Sequence, residues 1–223
     1  MKSIICIAFI LFSLPSFAQV NSLFGPSVRE GRSEIYFGFL SSSSFKLKGA
    51  SGGELNAQNG FGGIIEGGYN LTKRLYFGML FSMHNVNYRS NVTLDNSNED
   101  SFISDLLFSS VEFTSRFNLL PTTFTPYVEG SMGITHINSG VPSGQEVNRC
   151  WWDPYYDKQV CETQYPNETK VAFSYSVGAG IHYEITSRAN IQLAARYRFI
   201  QSAFNDNFPE LFSFGLSLGY IIP

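Results

Sequence analysis

The stretch LFSFGLSLGY, residues 211–220, carries the clearest structural signal in this chain of 223 residues. Every second residue from Phe212 to Tyr220 is large and apolar, and the residues between them are serine or glycine. Successive side chains of a β-strand point to opposite faces of the sheet, so the stretch predicts a strand with one apolar and one small, polar face. The apolar face would contact a second sheet in a soluble sandwich, and lipid in a membrane barrel.

The same alternation recurs along the chain, with Tyr76 and Leu80 as interruptions in one segment. We predict eight strands, at residues 33–40, 61–70, 75–84, 111–119, 124–137, 171–185, 190–199 and 211–220. The predicted connections alternate between short turns, at 70–74, 120–123 and 186–189, and longer loops, at 48–59, 90–102, 139–170 and 205–210. This arrangement is typical of a bacterial outer-membrane barrel. The predicted fold class is therefore all-β: a closed eight-stranded antiparallel transmembrane barrel with up-and-down meander topology.

Charges on the polar face favour the membrane barrel over a soluble sandwich. Eight charged residues alternate with the apolar ones: Glu34, Glu66, Glu112, Arg116, Glu129, Glu184, Arg196 and Arg198. A soluble barrel would point charges to water, whereas the lumen of a membrane barrel is polar. We predict that Arg116 and Arg196 bridge Glu66, Glu112 and Glu129, and that this lumen charge network plugs the barrel. The alternative is that lumen water hydrates the charges without specific pairing.

The N-terminal residues are typical of a secretory signal peptide. Lys2 precedes an apolar run from Ile4 to Leu14, and small residues lead to a cleavage site after Ala18. We predict a signal peptide at 1–18, a periplasmic lead-in at 19–31 and the barrel at 32–223, with both barrel termini in the periplasm. The net charge of −3 does not indicate the positively charged surface that a nucleic-acid-binding protein needs.

The predicted loop at 139–170 contains two cysteines, Cys150 and Cys161. An even pair of cysteines in an exported protein predicts a disulfide. The disulfide would fix a rigid loop presenting four aromatic candidates for recognition: Trp151, Trp152, Tyr155 and Tyr156. The alternative is that these side chains pack on the barrel rim or in lipid headgroups.

Taken together, the signal peptide, the eight alternating segments and the closing LFSFGLSLGYII resemble a known family. The family comprises the small eight-stranded outer-membrane barrels: the outer-membrane protein A transmembrane domain, outer-membrane protein X, the Ail/Lom group and the opacity proteins. The resemblance covers the chain from about Arg32 to its end. It implies a monomer in the bacterial outer membrane, with outer-membrane lipid, including lipopolysaccharide, and the outer-membrane assembly machinery as partners.

For function, the resemblance implies a non-enzymatic protein with an envelope-structural or surface-binding, adhesion-type role. The extracellular loops, notably 139–170, would contact a host or other surface ligand. A narrow porin-like channel for ions or small solutes is the alternative. A lipid-modifying enzyme is a third class, but no histidine is followed by serine two residues later, and His136 near Ser139 is only a weak candidate. We therefore expect no catalytic residues. His84, His136 and His182 fall on different strands without ligand spacing, so we expect no metal and no cofactor.

Overall fold

The computed structural model describes residues 24–48, 54–93, 99–142, 147–153, 155, 157–164, 166–201 and 210–222. The predicted signal peptide, residues 1–18, lies outside them. The described residues form twelve strands: β1 (Ser33–Ser42), β2 (Phe45–Lys48), β3 (Glu54–Ala57), β4 (Gly60–Asn70), β5 (Leu75–Thr93), β6 (Glu99–Asn118), β7 (Phe124–Pro142), β8 (Val147–Asp153), β9 (Lys158–Gln164), β10 (Asn167–Glu184), β11 (Ala189–Ile200) and β12 (Glu210–Ile222). No helix within these residues is long and apolar enough to cross a membrane.

Eight of the strands close into an antiparallel barrel. Around the wall the order is β1, β4, β5, β6, β7, β10, β11 and β12, and β12 pairs back with β1. Phe37 of β1, for example, pairs with Ile65 of β4 on one side and with Leu218 of β12 on the other. Closure satisfies the backbone groups of the wall without water, as hydrocarbon requires. The predicted fold class is confirmed.

Three short turns, at 71–74, 119–123 and 185–188, lie at one end of the barrel, which we call the short-turn end. In two of them a threonine hydroxyl accepts hydrogen bonds from the backbone N–H groups two and three residues later. Thr72 Oγ1 accepts hydrogen bonds from the backbone N–H groups of Arg74 and Leu75, at 3.1 and 3.0 Å. Thr186 Oγ1 does the same for Arg188 and Ala189, at 3.2 and 2.9 Å. Such local side-chain bonds favour turns over strand continuation. We call the opposite end the long-loop end.

The two faces of the wall differ as the alternation predicts. Outward side chains such as Phe37, Met79 and Phe214 are 59, 59 and 55 % exposed, whereas inward Glu66 and Arg116 are both 1 % exposed. The apolar face of LFSFGLSLGY therefore lies on the outside of a closed cylinder, and no second sheet covers Phe214 within the described residues. An apolar outer band of this kind is the surface that lipid solvates.

The predicted loop at 90–102 is wrong, because β5 and β6 pair without interruption from Leu75 and Phe117 to Thr93 and Glu99. Just before that region, from Asn85 onward in β5, the alternation continues with apolar residues on the inward face. Val86 is buried inside, whereas Asn85 and Asn87 point outward and are exposed. Beyond the lipid the outer surface meets water, so apolar side chains turn inward as in a soluble protein. The predicted loop at 48–59 likewise contains a strand, β3, which pairs with β2 and β5.

Inward apolar side chains at the long-loop end form one cluster, which we call the apolar cap. It comprises Phe45, Ala57, Val86, Tyr88, Leu106, Phe108, Ile137, Ala172, Ile200 and Leu211. Its members come from eight different strands, so the cluster spans the barrel interior. Full burial of one large apolar side chain contributes about 1.5–3 kcal/mol. The cap therefore holds this end of the barrel closed.

The predicted loop at 139–170 is also largely strand. β7 extends to Pro142 and β10 begins at Asn167, and between them β8 and β9 form a separate two-stranded sheet, which we call the disulfide hairpin. Cys150 and Cys161 lie directly opposite each other in this hairpin and form a disulfide with a Cα–Cα distance of 4.1 Å.

Candidate functional site

Two arginines and two glutamates, which we call the charge quartet, occupy the middle of the barrel interior. Arg116 Nη2 lies 2.5 Å from Glu66 Oε1, and Arg116 Nε lies 3.7 Å from Glu129 Oε2. Arg196 contacts Glu129 through Nε at 2.5 Å and Nη2 at 3.3 Å, and contacts Glu66 at 3.4 Å. Each arginine thus bridges the same two carboxylates across the lumen. The pairing of Arg196 with Glu129 is bidentate, the geometry that suits guanidinium and carboxylate groups.

Three tyrosines surround Arg116 and fill the space beside the quartet. The guanidinium carbon lies 5.3, 4.5 and 4.8 Å from the ring centroids of Tyr36, Tyr76 and Tyr127. All three rings are at most 1 % exposed. A cation desolvated against aromatic faces is stabilised by the ring quadrupoles. The strands β1, β5 and β7 each supply one ring, so this layer joins distant parts of the wall.

These tyrosines are not among the predicted site residues, although the sequence carries the signal for them. Tyr36 lies two residues after Glu34, and Tyr127 lies two residues before Glu129, so period-two alternation places each ring on the inward face. Tyr76 was interpreted as an interruption of the pattern, but it is an inward residue of β5. The other supposed interruption, Leu80, is 1 % exposed and packs inside with Leu40 and Ile64.

A second ion pair lies nearer the long-loop end, and it binds Glu112 to Arg198 rather than to the predicted Arg116 and Arg196. Arg198 Nε is 2.8 Å from Glu112 Oε1, and Arg198 Nη2 donates to Ser82 Oγ at 3.1 Å. Ser131 donates a hydrogen bond to the other oxygen of Glu112. Both ionic partners are buried. The polar interior therefore continues up to the level at which the apolar cap begins.

The predicted lead-in, residues 19–31, is described from Phe24 onward, and the described part enters the barrel mouth at the short-turn end. Arg29 is 0 % exposed, and its Nε lies 3.0 Å from Glu184 Oε1. Its Nη1 lies 2.8 Å from His182 Nδ1, and Nη2 donates to the Thr122 carbonyl oxygen at 2.6 Å. Burial lowers the pKa of Arg29, while the Glu184 carboxylate opposes that effect. We call residues 24–31 the docked segment.

The docked segment also contacts Glu184 through Ser27 and Val28. Ser27 Oγ donates to Glu184 Oε1 at 2.5 Å, and the Val28 backbone N–H donates to Oε2 at 3.0 Å. The docked segment, which precedes β1, therefore supplies Glu184 with an ion-pair partner and with two hydrogen-bond donors. Arg29 is not among the predicted site residues, because it lies outside the alternating segments that identify the inward face.

Glu34, at the same end, has a different environment. Its carboxylate accepts hydrogen bonds from Tyr36 Oη at 2.5 Å and from Asn190 Nδ2 at 3.3 Å. Five glutamates and four arginines are thus buried inside the described part of the barrel. The eight charged residues predicted for the lumen all lie inside, and Arg29 joins them.

The candidate recognition residues lie on the disulfide hairpin as far as the structure describes them. Trp152 is 61 % exposed and Tyr155 is 87 % exposed. The side chain of Trp151 and the whole of Tyr156 lie outside the described residues. Trp152 and the disulfide share one face of the hairpin, because Cys150 and Trp152 are two residues apart on β8.

The three histidines occupy unrelated positions. His84 is buried and stacks on Phe108 of the apolar cap, with ring centroids 4.9 Å apart. His182 contacts Arg29, and His136 points outward from β7. Among the described residues no group of three or more histidine, cysteine or acidic side chains could hold a metal ion.

Solved outer-membrane proteins share this architecture. The outer membrane protein OprG from Pseudomonas aeruginosa is 11 % identical, with a TM-score of 0.56 over 90 % of this chain and 99 % of that chain. Neisserial surface protein A is 14 % identical (TM-score 0.48), and Ail of Yersinia pestis, in complex with the heparin analogue sucrose octasulfate, is 17 % identical (TM-score 0.46). Both matches cover 86 % of this chain and 99 % of theirs. A comparison with curated proteins finds no significant match. At these identities the similarity to OprG establishes the fold alone.

A family model described as "Outer membrane protein beta-barrel domain" matches residues 4–221, nearly the whole chain. The match agrees with the closed eight-stranded wall and its apolar outer face, and it confirms the resemblance to the small outer-membrane barrels. The protein is located in the bacterial outer membrane, and the chain belongs to the outer membrane protein β-barrel domain family.

Proposed function

We propose that the protein is a non-enzymatic barrel that does not conduct, and that it acts through its long-loop end in an envelope-structural and surface-binding role. The observation that supports this proposal is the filled lumen. The docked segment occupies the short-turn end, the charge quartet and three tyrosines occupy the middle, and the apolar cap occupies the long-loop end. Eight strands enclose only enough space for side chains to fill.

The apolar cap argues most strongly against conduction. An ion that crossed it would lose its hydration shell among side chains such as Leu106 and Ile137, which offer no polar replacement. The charge quartet adds a second obstacle, because each of its guanidinium groups contacts both carboxylates and so is held across the lumen. A narrow porin-like channel is the alternative, and stepwise conductance of the purified protein in planar bilayers would favour it.

The disulfide hairpin is the element that we propose for surface binding, with a host or other surface ligand as its partner. Large aromatic side chains on a rigid scaffold lose little conformational entropy on binding and are frequent at the centres of interfaces. Trp152 and Tyr155 meet that description, because both are exposed and the disulfide restrains the strand that carries Trp152. The outer apolar band supports outer-membrane lipid, including lipopolysaccharide, and the assembly machinery as further partners.

Binding of intact cells to candidate surfaces tests the proposal. Cells that display the wild-type protein are compared with cells that display Trp152→Ala together with Tyr155→Ala. Loss of two exposed aromatic anchors is expected to weaken attachment by about tenfold or more. Asp157→Asn is the matched control, because Asp157 has a φ of 46° and asparagine tolerates that conformation. Equal attachment of the double variant and the wild type, at equal surface amounts, would rule out the hairpin as the binding element.

A further inference from the structure

A cleft of about 570 Å³ opens on the outer surface of the wall at the long-loop end, where β5, β6 and β7 meet. Its volume falls within the roughly 300–1,000 Å³ typical of small-molecule sites. The main lining side chains are Asn85, Ile103, Asp105, Leu107, Asn138 and Asn167. The cleft is distinct from the filled lumen, since Asn85, Ile103 and Asp105 point outward from their strands.

Cross-strand rows place this cleft just above the lipid-facing band. Phe81, Val111 and Ile134 form one row across β5, β6 and β7, and all three are exposed apolar side chains. The row of Met83, Ser109 and His136 comes next, and then the row of Asn85, Leu107 and Asn138. Successive rows on one face are about 7 Å apart along the strands. The cleft therefore begins where the outer surface changes from hydrocarbon-facing to polar.

The cleft owes its shape to a local distortion of β7. Gly140 has a φ of 66°, and a Cβ atom at that position would collide with the backbone of Asp105. Asn138 Oδ1 accepts a hydrogen bond from the Gly140 N–H at 3.0 Å, and Ser104 Oγ donates to the Gly140 carbonyl oxygen at 3.1 Å. Beyond Leu107 and Asn138 the regular pairing of β6 with β7 ends. Glycine is required here because only a residue without a side chain fits against β6.

The lining has the chemistry of a site for an uncharged, hydroxyl-rich ligand. The side chains of Asn85, Asp105 and Asn167 have no hydrogen-bond partner within the described residues, so their donors and acceptors are free for a ligand. Ile103 and Leu107 add apolar surface beside them. No lysine or arginine is among the described lining residues, and Asp105 would repel phosphate or sulfate.

We propose that this cleft binds an uncharged saccharide. The amides and the carboxylate would bond to sugar hydroxyls, and the two aliphatic side chains would pack against the C–H face of the ring. The proposal deepens the surface-binding role proposed above, and it rests on the assignment of the long-loop end to the outside of the cell. The saccharide has two sources, the core sugars of lipopolysaccharide in the same leaflet and a polysaccharide outside the cell.

Titration of the purified full-length protein with two saccharide probes tests the proposal. The probes are the neutral hexose oligosaccharide of the outer core of lipopolysaccharide and maltoheptaose, and the detergent carries no sugar headgroup that could compete. We expect at least one probe to bind at about 1 mM or tighter. Asn85→Ala combined with Asp105→Ala is expected to weaken that binding about tenfold, because each lost hydrogen bond costs a fewfold in affinity. The matched control is Gln201→Ala, an exposed amide at the long-loop end of β11.

The outcomes separate the two sources and the competing explanation. Binding of the core oligosaccharide alone assigns the cleft to lipopolysaccharide, and binding of maltoheptaose alone assigns it to an external polysaccharide. The proposal is overturned if neither probe binds, if the double variant binds as tightly as wild type, or if sulfated maltoheptaose binds more tightly than maltoheptaose. If the double variant does not fold, Asn167→Ala is used in its place. The hairpin variants leave the cleft lining unchanged, so failure of hairpin-mediated attachment and failure of saccharide binding are separate results.

Discussion

Inside this barrel, each buried charge of the quartet is stabilised by the oppositely charged side chains that contact it. Arg116 contacts Glu66 and Glu129 and is enclosed by three tyrosine rings. Arg196 contacts the same carboxylates, so removal of either arginine leaves two carboxylates to share one cation. A buried pair is costly to form, but removing one partner is costlier still, because it leaves an uncompensated charge.

At this scale we predict that Arg116→Ala lowers the free energy of unfolding by about 3–5 kcal/mol. The change leaves Glu66 with a 3.4 Å contact to Arg196 and opens a space among the tyrosines. Urea unfolding followed by circular dichroism measures the effect. Arg116→Met combined with Glu66→Gln should recover part of the loss, because both charges of the pair are then removed.

Arg74→Ala is the matched control for this prediction, because Arg74 is exposed in the turn before β5. Its effect is expected to stay within about 0.5 kcal/mol. An Arg116→Ala protein as stable as the Arg74→Ala protein would show that lumen water, rather than ion pairing, compensates the carboxylates.

At the scale of elements, Arg29 joins the docked segment to two different parts of the barrel mouth. Arg29 joins Glu184, His182 and the Thr122 carbonyl, which belong to the segment between β6 and β7 and to the end of β10. We predict that Arg29→Ala releases the segment while the barrel stays folded. Chymotrypsin cleavage after Phe24, which is 68 % exposed, reports the release.

The expected increase in the cleavage rate is about tenfold or more, since cleavage follows the population of the undocked state. Glu30→Ala is the control, because Glu30 is an exposed neighbour on the same segment. Equal cleavage rates for the two variants would mean that the segment is held by its backbone contacts, such as Gly31 N–H to Asn70 O at 2.9 Å.

The apolar cap leads to another prediction at the element scale. Leu106 lies in the apolar cap and is 3 % exposed, although it lies only a few residues beyond the predicted loop at 90–102. Leu106→Ala is expected to destabilise the long-loop end by about 2–5 kcal/mol, the range for cavity-forming substitutions. Hydrogen exchange of the backbone amides of β5 and β6 measures the loss of protection.

Asn87→Ala is the matched control, since Asn87 points outward on β5. Protection close to the wild-type level is expected for this variant. If Leu106→Ala also leaves the amides protected, the cap does not hold the two strands together.

For the whole molecule, three obstacles lie in series along the lumen: the docked segment, the charge quartet with its tyrosines, and the apolar cap. A series of barriers is as impermeable as its least permeable member. We therefore predict that removing the docked segment alone, or substituting Arg196→Ala alone, gives no conductance in planar bilayers. A variant that combines both changes should also be silent, because the apolar cap is intact.

Conductance is expected only when cap residues such as Phe108 and Ile137 are also replaced by serine. Wild-type protein and an unrelated open porin serve as the negative and positive controls. Conductance steps in the Arg196→Ala variant alone would show that the quartet is a gate and that the cap already passes ions.

The strand pattern, the inward charges and the disulfide could all be predicted without the structure. Period-two alternation depends only on neighbouring residues and on the solvent outside the wall. The polarity of a residue such as Phe214 or Arg196 therefore predicts whether its side chain points outward or inward. The extensions of β5 and β6 into the predicted loop at 90–102 were not predicted, because the medium around the outer face changes from lipid to water along β5. The alternation with apolar residues on the outward face ends at Met83, although β5 continues to Thr93.

The local sequence pattern alone therefore predicted a closed eight-stranded barrel with an apolar exterior and a charged interior, because the alternation in each segment indicates which face contacts lipid. The contact of Arg29 with Glu184 required the folded chain, because 155 positions in the sequence separate residues that only barrel closure brings together. The same is true of the tyrosine rings around Arg116 and of the apolar cap, whose members come from eight strands. Spacing within one strand carries no information on which side chains meet across a lumen.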